Sequence, residues 1–141
     1  MDKFHNILIV DSNPHDQQLI ALLFKRSLSR IFNSSLSLTY AASVAEAKNL
    51  LSKNLFSIIT LDGEFPSYID HVLGQNIIPF IREFHSPIPI IMMISNERLF
   101  VKRGLQNGVD FGFYKQDING QVKLNEKFEL IPLEHSLIIT R

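Results

Sequence analysis

The stretch that decides the fold is Ser57–Pro66, SIITLDGEFP. Its apolar and β-branched residues, Ile58–Leu61, predict a strand that is buried on both faces of a sheet. The strand ends at Asp62, after which Gly63 and Pro66 turn the chain sharply away. Ligands collect at the carboxyl ends of strands in open α/β sheets, so this carboxylate is a candidate nucleophile or metal ligand.

Composition restricts the class of protein. The 141 residues fit one domain with a substantial hydrophobic core. Lys and Arg total 14, as do Asp and Glu, so no basic surplus points to a nucleic-acid partner. The chain has no cysteine, which excludes disulfides and thiolate metal sites. The apolar stretch Ile7–Val10 is too short for a signal peptide or a membrane span, so we expect a cytoplasmic protein without membrane contact.

Apolar strand-like runs alternate along the chain with segments of helical period. This alternation is typical of a parallel sheet with helices on both faces. The predicted strands are Ile7–Val10, Leu36–Ala41, Ile58–Leu61, Pro89–Ile94 and Val109–Tyr114.

Local signals predict where the helices begin and end. Ser12 or Asn13 can cap the first helix. The sequence Ser43–Glu46 is a capping box that starts the second helix. The third helix carries Pro79, which should kink or delay it, and the fourth is predicted at Glu97–Asn107.

The C-terminal part departs from this alternation. Gln121–Thr140 shows the two-residue period of a strand and is interrupted by Pro132, which favours extended structure over a last helix. We therefore assign residues 1–117 to the α/β domain and residues 118–141 to an atypical extension packed on it.

Four of the predicted strands end at polar side chains: Asp11, Asp62, Ser95 and Lys115. In a flavodoxin-like sheet of five parallel strands in the order 2-1-3-4-5, these four ends face one crevice. Two carboxylates, a hydroxyl and an ammonium suit phosphoryl transfer to a carboxylate. Asp62 is the predicted nucleophile, and a divalent cation at Asp11 would offset its repulsion of a phosphate. Ser95 and Lys115 are predicted to bind phosphoryl oxygens.

These residues and their spacing resemble the receiver domain of two-component response regulators. The resemblance covers about residues 6–115, and several motifs occur in the family's order with matching intervening lengths. They are ILIVDSNP, LDGEFP, Gly74 through IIPFIR, IIMMIS and GVDFGFYK.

The resemblance implies a role for each residue of the crevice. Asp62 would accept a phosphoryl group from a histidine kinase or a phosphotransfer protein. Asp11, Asp62 and the main-chain carbonyl of Glu64 would surround Mg²⁺, while Ser95 would be the switch hydroxyl and Lys115 the phosphate-binding lysine. The chain would then be a stand-alone phosphorelay module that signals through contacts with another protein, and not an enzyme with turnover.

Some positions depart from the family pattern. Ser12 stands where receivers carry a second acid, so one carboxylate ligand of Mg²⁺ is missing, and we expect the Glu64 side chain to replace it. Without an amphipathic fifth helix, the usual output surface should also differ. The other departures are Asn96 for a small residue, Gly112 for an aromatic switch, Gln116 for a cis proline, and a longer loop at Pro66–Gly74.

Two other functions stay open at the level of sequence. Ser12 favours a degenerate receiver that binds its partner without phosphorylation. The pattern Asp62-x-Glu64 with Ser and Lys downstream also resembles phosphohydrolases of the haloacid-dehalogenase group. That group places its nucleophile on the first strand, whereas two strand–helix units precede Asp62 here.

Overall fold

The computed structural model describes residues 4–31, 35–62, 77–84 and 89–133. Within them, five parallel strands form one sheet in the order β2-β1-β3-β4-β5, which confirms the predicted order 2-1-3-4-5 and the flavodoxin-like fold. The strands are β1 (Phe4–Val10), β2 (Ser35–Ala41), β3 (Ile58–Asp62), β4 (Ile90–Ile94) and β5 (Phe111–Phe113). The helices are α1 (Pro14–Ile31), α2 (Val44–Lys53), α3 (Ile77–Phe84) and α4 (Arg98–Gln106).

The central strand β3 is buried along its whole length, as its apolar sequence predicts. It pairs with β1 on one side and with β4 on the other. The register places Asp62 opposite Ile94, so Ser95 follows one residue beyond that level. Parallel pairing therefore brings the carboxyl ends of the strands to one edge of the sheet.

The two faces of the sheet carry separate hydrophobic cores. One core joins residues of α2, α3 and α4 to one side of the strands, including Leu51, Ile81 and Val101. The other joins residues of α1, such as Phe24 and Leu28, to the opposite side. None of the helices in the described part of the chain combines the length and apolar character needed to cross a membrane.

The helix ends follow their local sequence signals. The side-chain oxygen of Asn13, rather than that of Ser12, accepts the backbone N–H groups of the first turn of α1 at 2.8 and 3.4 Å. The Ser43 hydroxyl accepts the Glu46 N–H at 3.1 Å, as expected for a capping box. Pro79 is the third residue of α3, where its missing N–H costs no helical hydrogen bond.

After β5 the chain forms a 3-10 turn at Lys115–Asp117 and then a small hairpin. Its strands, β6 (Val122–Leu124) and β7 (Leu130–Pro132), pair antiparallel. They lie inside the segment predicted to be extended, Gln121–Thr140, whose last residues fall outside the described part of the chain. The division into residues 1–117 and 118–141 stays a prediction.

The hairpin is fixed to α1 through a buried hydroxyl. Ser27 donates to the Leu23 carbonyl at 2.6 Å and accepts the Leu124 N–H at 2.7 Å. The Arg26 guanidinium also donates to the Gly120 carbonyl. The hairpin therefore covers the same face of the sheet as α1.

Candidate functional site

Asp62 is the last residue of β3, and its side chain is only 1% exposed. The strand is buried between two neighbours, so the carboxylate is delivered to the sheet edge by a rigid element. One of its oxygens, Oδ2, lies 3.3 Å from the ammonium nitrogen of Lys115. The predicted nucleophile and the predicted phosphate-binding lysine are therefore in contact.

Asp11 follows β1 and is also 1% exposed. Its backbone N–H donates to the Ala41 carbonyl at 2.9 Å, which extends the pairing of β1 with β2 by one residue. The carboxylate oxygen Oδ1 accepts the Asn13 N–H at 2.9 Å, while Oδ2 lies 3.0 Å from the Lys115 ammonium. This carboxylate is thus oriented by the turn that leads into α1.

Lys115 begins the 3-10 turn after β5, and its side chain is 9% exposed. Its ammonium lies among three carboxylates, since Asp16 Oδ2 is 2.9 Å away in addition to Asp11 and Asp62. Sequence reasoning did not find Asp16. The sequence places an acid three residues after the Asn13 cap, in the first turn of a helix at the carboxyl edge of the sheet, but no local pattern directs Lys115 to it.

The three carboxylates and one ammonium leave an excess of negative charge in a region with little water. Burial, together with the charge of Asp62, raises the pKa of Asp11, although the Asn13 N–H and Lys115 act against this. Burial acts to lower the pKa of Lys115, but the hydrogen bonds to Asp16 and Asp11 and the charge of Asp62 outweigh it. The pKa of the Lys115 ammonium is therefore well above its usual value, so the group stays protonated at neutral pH.

Ser95 follows β4 and is fully buried. Its backbone N–H donates to the Phe113 carbonyl at 3.0 Å, and its carbonyl accepts the Lys115 N–H at 3.3 Å. The hydroxyl oxygen accepts the Glu97 N–H at 3.0 Å, which leaves the hydroxyl proton able to donate. Ser95 therefore holds the turn before α4 and lies beside the main chain of Lys115.

Solved structures of response regulators share this arrangement of strands and helices. HP1043, an orphan response regulator of H. pylori, has a TM-score of 0.58 and 13% identity over 79% of this chain and 82% of that one. The receiver domain of TorR, from the TMAO respiratory system, has a TM-score of 0.55 and 20% identity over 97% and 92%. This chain has the receiver-domain fold.

A third response regulator structure carries additional groups. It is a response regulator from Burkholderia pseudomallei with a phosphorylated aspartic acid, a calcium ion and citrate. Its TM-score is 0.50 and its identity 20%, over 79% of this chain and 59% of that one. No family model matches the sequence, and no curated protein matches it. At these identities the likeness is one of fold.

Two of the predicted magnesium ligands, Asp11 and Asp62, lie among the described residues. Among them, no group of three or more acidic or histidine side chains is arranged to hold a metal ion. Asp11 and Asp62 direct an oxygen to Lys115, and the position that precedes the cap of α1 holds Ser12. Glu64, the predicted replacement ligand, lies outside the described residues.

Two departures from the receiver pattern, Asn96 and Gln116, are joined by a hydrogen bond. The side-chain oxygen of Asn96 accepts the backbone N–H of Gln116 at 2.9 Å. A proline at position 116 could not donate this bond. The loop after β4 and the turn that carries Lys115 are therefore joined by a hydrogen bond where receivers rely on a proline.

Gly112 lies where receivers have an aromatic switch, and the packing of α4 requires a residue without a side chain there. A Cβ atom at this position would lie 2.6 Å from the Cγ1 atom of Val101. Gly104 on α4 is similarly close to Met93, with 3.0 Å from an added Cβ to Cε. Helix α4 therefore packs directly against β4 and β5, and there is no room for an aromatic ring at position 112.

Proposed function

We propose that this chain is a signalling receiver module that accepts a phosphoryl group on Asp62. One observation carries the proposal, namely the buried carboxylate at the end of β3 with Oδ2 3.3 Å from the Lys115 ammonium. A carboxylate nucleophile next to a fixed cation is the pair that phosphoryl transfer to an aspartate needs. The phosphorylated aspartic acid of the Burkholderia response regulator supports it by analogy of fold.

In the proposed step, an oxygen of Asp62 forms a bond to phosphorus while the phosphorus–nitrogen bond of a phosphohistidine breaks. The imidazole leaves with the bonding electron pair and takes up a proton. Lys115 offsets the charge of the phosphoryl oxygens, and the Ser95 hydroxyl proton is available to donate to one of them. The donor is a histidine kinase or a phosphotransfer protein, and the output is a contact with another protein.

Magnesium binding remains a prediction. If Glu64 completes a site with Asp11 and Asp62, the cation would supply positive charge against the incoming phosphate. Mg²⁺ titration of the parent and of Glu64→Ala tests this, and equal affinities would remove Glu64 from the ligand set.

The test of the proposal is intact-mass analysis after treatment with phosphoramidate, a small phosphorus–nitrogen donor. We expect the parent to gain the mass of one phosphoryl group and Asp62→Asn to gain none. Asp117→Asn changes an exposed carboxylate by the same atoms, and we expect it to be modified like the parent. Equal modification of Asp62→Asn would overturn the proposal.

A degenerate receiver is the second candidate, and the carboxylates around Lys115 favour it. Their contacts satisfy the ammonium without a phosphate, so the fold has no need of the modification. In this case phosphoramidate would leave the parent unmodified while partner binding persists. Turnover of p-nitrophenyl phosphate would instead indicate a phosphohydrolase.

A further inference from the structure

Asp16 differs from the other two carboxylates that surround Lys115. It comes from the first turn of α1, whereas Asp11 follows β1 and Asp62 is the last residue of β3. Its oxygen makes the shortest contact with the ammonium, at 2.9 Å. Its side chain is 22% exposed, against 1% for each of the others. Asp16 therefore lies at the mouth of the cluster, between Lys115 and solvent.

The contact with Asp16 occupies one hydrogen of the Lys115 ammonium, and that hydrogen can be donated to only one acceptor. A lysine ammonium has three N–H donors, and the carboxylates of the cluster present three oxygens within 3.3 Å. A phosphoryl group on Asp62 adds further acceptor oxygens beside the same nitrogen. The Asp62 contact passes to the phosphoryl group, and a second phosphoryl oxygen that binds the ammonium must displace Asp11 or Asp16.

Asp16 is the carboxylate that can be released at the lowest cost. Asp11 is buried and its other oxygen accepts the Asn13 N–H, so it cannot turn to water. Asp16 already reaches solvent, and the N-terminal end of α1 stabilises its negative charge without Lys115. Its side chain can therefore swing outward and remain hydrated.

We propose that Asp16 competes with the phosphoryl group for Lys115 and so lowers the affinity of the site for phosphate. This inference rests on the proposed function, because it assigns a positioning residue to the same site. In the unmodified protein, Asp16 holds the ammonium. Phosphorylation of Asp62 transfers that hydrogen bond to the phosphoryl group and releases Asp16 to solvent.

A role for Asp16 as a cation ligand would change the phosphorylation rate in the opposite direction when Asp16 is replaced. If Asp16 served as the acid that Ser12 fails to supply, its removal would weaken cation binding and slow phosphorylation. If it competes for Lys115, its removal frees a donor and speeds phosphorylation. The direction of the change in rate therefore decides between the two roles.

The experiment compares Asp16→Asn, Asp16→Glu and a matched control, Asp117→Asn. Asp117 is an exposed acid in the same 3-10 turn as Lys115, and its substitution removes the same charge. We measure the rate of phosphoramidate modification by intact mass at fixed Mg²⁺, and the affinity for beryllofluoride as a phosphoryl analogue. Circular dichroism confirms that each variant is folded.

We expect Asp16→Asn to raise both the rate and the affinity about fivefold to tenfold, the equivalent of the net contribution of one hydrogen bond. Asp16→Glu restores the carboxylate and should return both values toward the parent, and Asp117→Asn should change them less than about twofold. The gain should persist at high salt, because a direct contact is screened less than a distant charge.

An unchanged or slower Asp16→Asn in a parent that is modified would overturn this inference and leave the proposed function standing. Modification of Asp16→Asn but not of the parent would support it in its strongest form. If neither is modified, both the proposed function and the inference fail.

Discussion

The two faces of the sheet are covered in different ways. On one face, α2, α3 and α4 pack through a continuous apolar core. On the other, α1 shares the surface with a hairpin that is tied to it by the buried Ser27 hydroxyl. The charged cluster draws on this second face, because Asp16 comes from α1 and Lys115 begins the turn that leads to the hairpin. The face that α2, α3 and α4 cover depends on close apolar contact, whereas the face that α1 and the hairpin cover adds a few polar bonds to its apolar core.

The largest effect is expected where α4 meets the sheet. Gly112→Phe should destabilise the fold by about 3 kcal/mol, because the added Cβ alone would lie 2.6 Å from Val101. The measurement is chemical denaturation. Gly120→Ala is the control, since the nearest described atom to its added Cβ belongs to the Arg26 side chain, 3.7 Å away. A stable Gly112→Phe protein would show that α4 can move away from the sheet.

The face of the sheet that α1 and the hairpin cover should be destabilised by loss of the buried Ser27 hydroxyl. Ser27→Ala leaves the Leu124 N–H buried without its acceptor, at a cost of about 2 kcal/mol. Hydrogen exchange should show faster exchange at Leu124. Ser52→Ala removes an exposed helical Ser hydroxyl that donates to the Asn49 carbonyl, so its cost should be below about 0.5 kcal/mol. Equal costs for the two serines would contradict a structural role for the bond.

A smaller coupling is expected between the two loops at the sheet edge. Asn96→Ala and Gln116→Pro each remove one partner of the same 2.9 Å hydrogen bond. In a double-mutant cycle, their combined effect should fall short of the sum by about 1 kcal/mol. Additive effects would show that the bond does not join the loops.

The smallest effect concerns the charge of the cluster. The pKa of Asp11 is raised, so its protonated form favours the fold, and that contribution is lost as pH rises through the raised pKa. Asp11→Asn keeps a neutral side chain at every pH. It should therefore raise Tm by a few degrees at neutral pH, and the difference should shrink below the ordinary carboxyl pKa of 3.8. A lower Tm for the variant at neutral pH would contradict this sign.

Sequence patterns predicted the alternation of strands and helices and the helix starts because these depend on local periodicity and capping, and the sheet order followed from the fold class that this alternation indicates. The fifth strand is shorter than predicted. Val109 donates its N–H to Gly104 at the end of α4, and Tyr114 precedes the 3-10 turn. An apolar run cannot distinguish a strand residue from one that closes a helix.

The site was predicted in part. Strand ends converge by topology, so the contacts among Asp11, Asp62 and Lys115 follow from the order of the sheet. The contact of Asp16 with Lys115 joins residues that are distant in sequence, and it depends on where the 3-10 turn directs the ammonium. No local pattern encodes that direction. For the same reason, no local sequence pattern predicts the hydrogen bond between Asn96 and Gln116.

The most direct test of the central claim is to locate the phosphoryl group within the chain. Asp11, Asp16 and Asp62 all contact the same ammonium, so each is a chemically available acceptor. Tandem mass spectrometry of peptides from the phosphoramidate-treated protein should find the group on Asp62 alone, and Asp62→Asn should carry none. A phosphoryl group on Asp11 or Asp16, or one that persists in Asp62→Asn, would contradict the account.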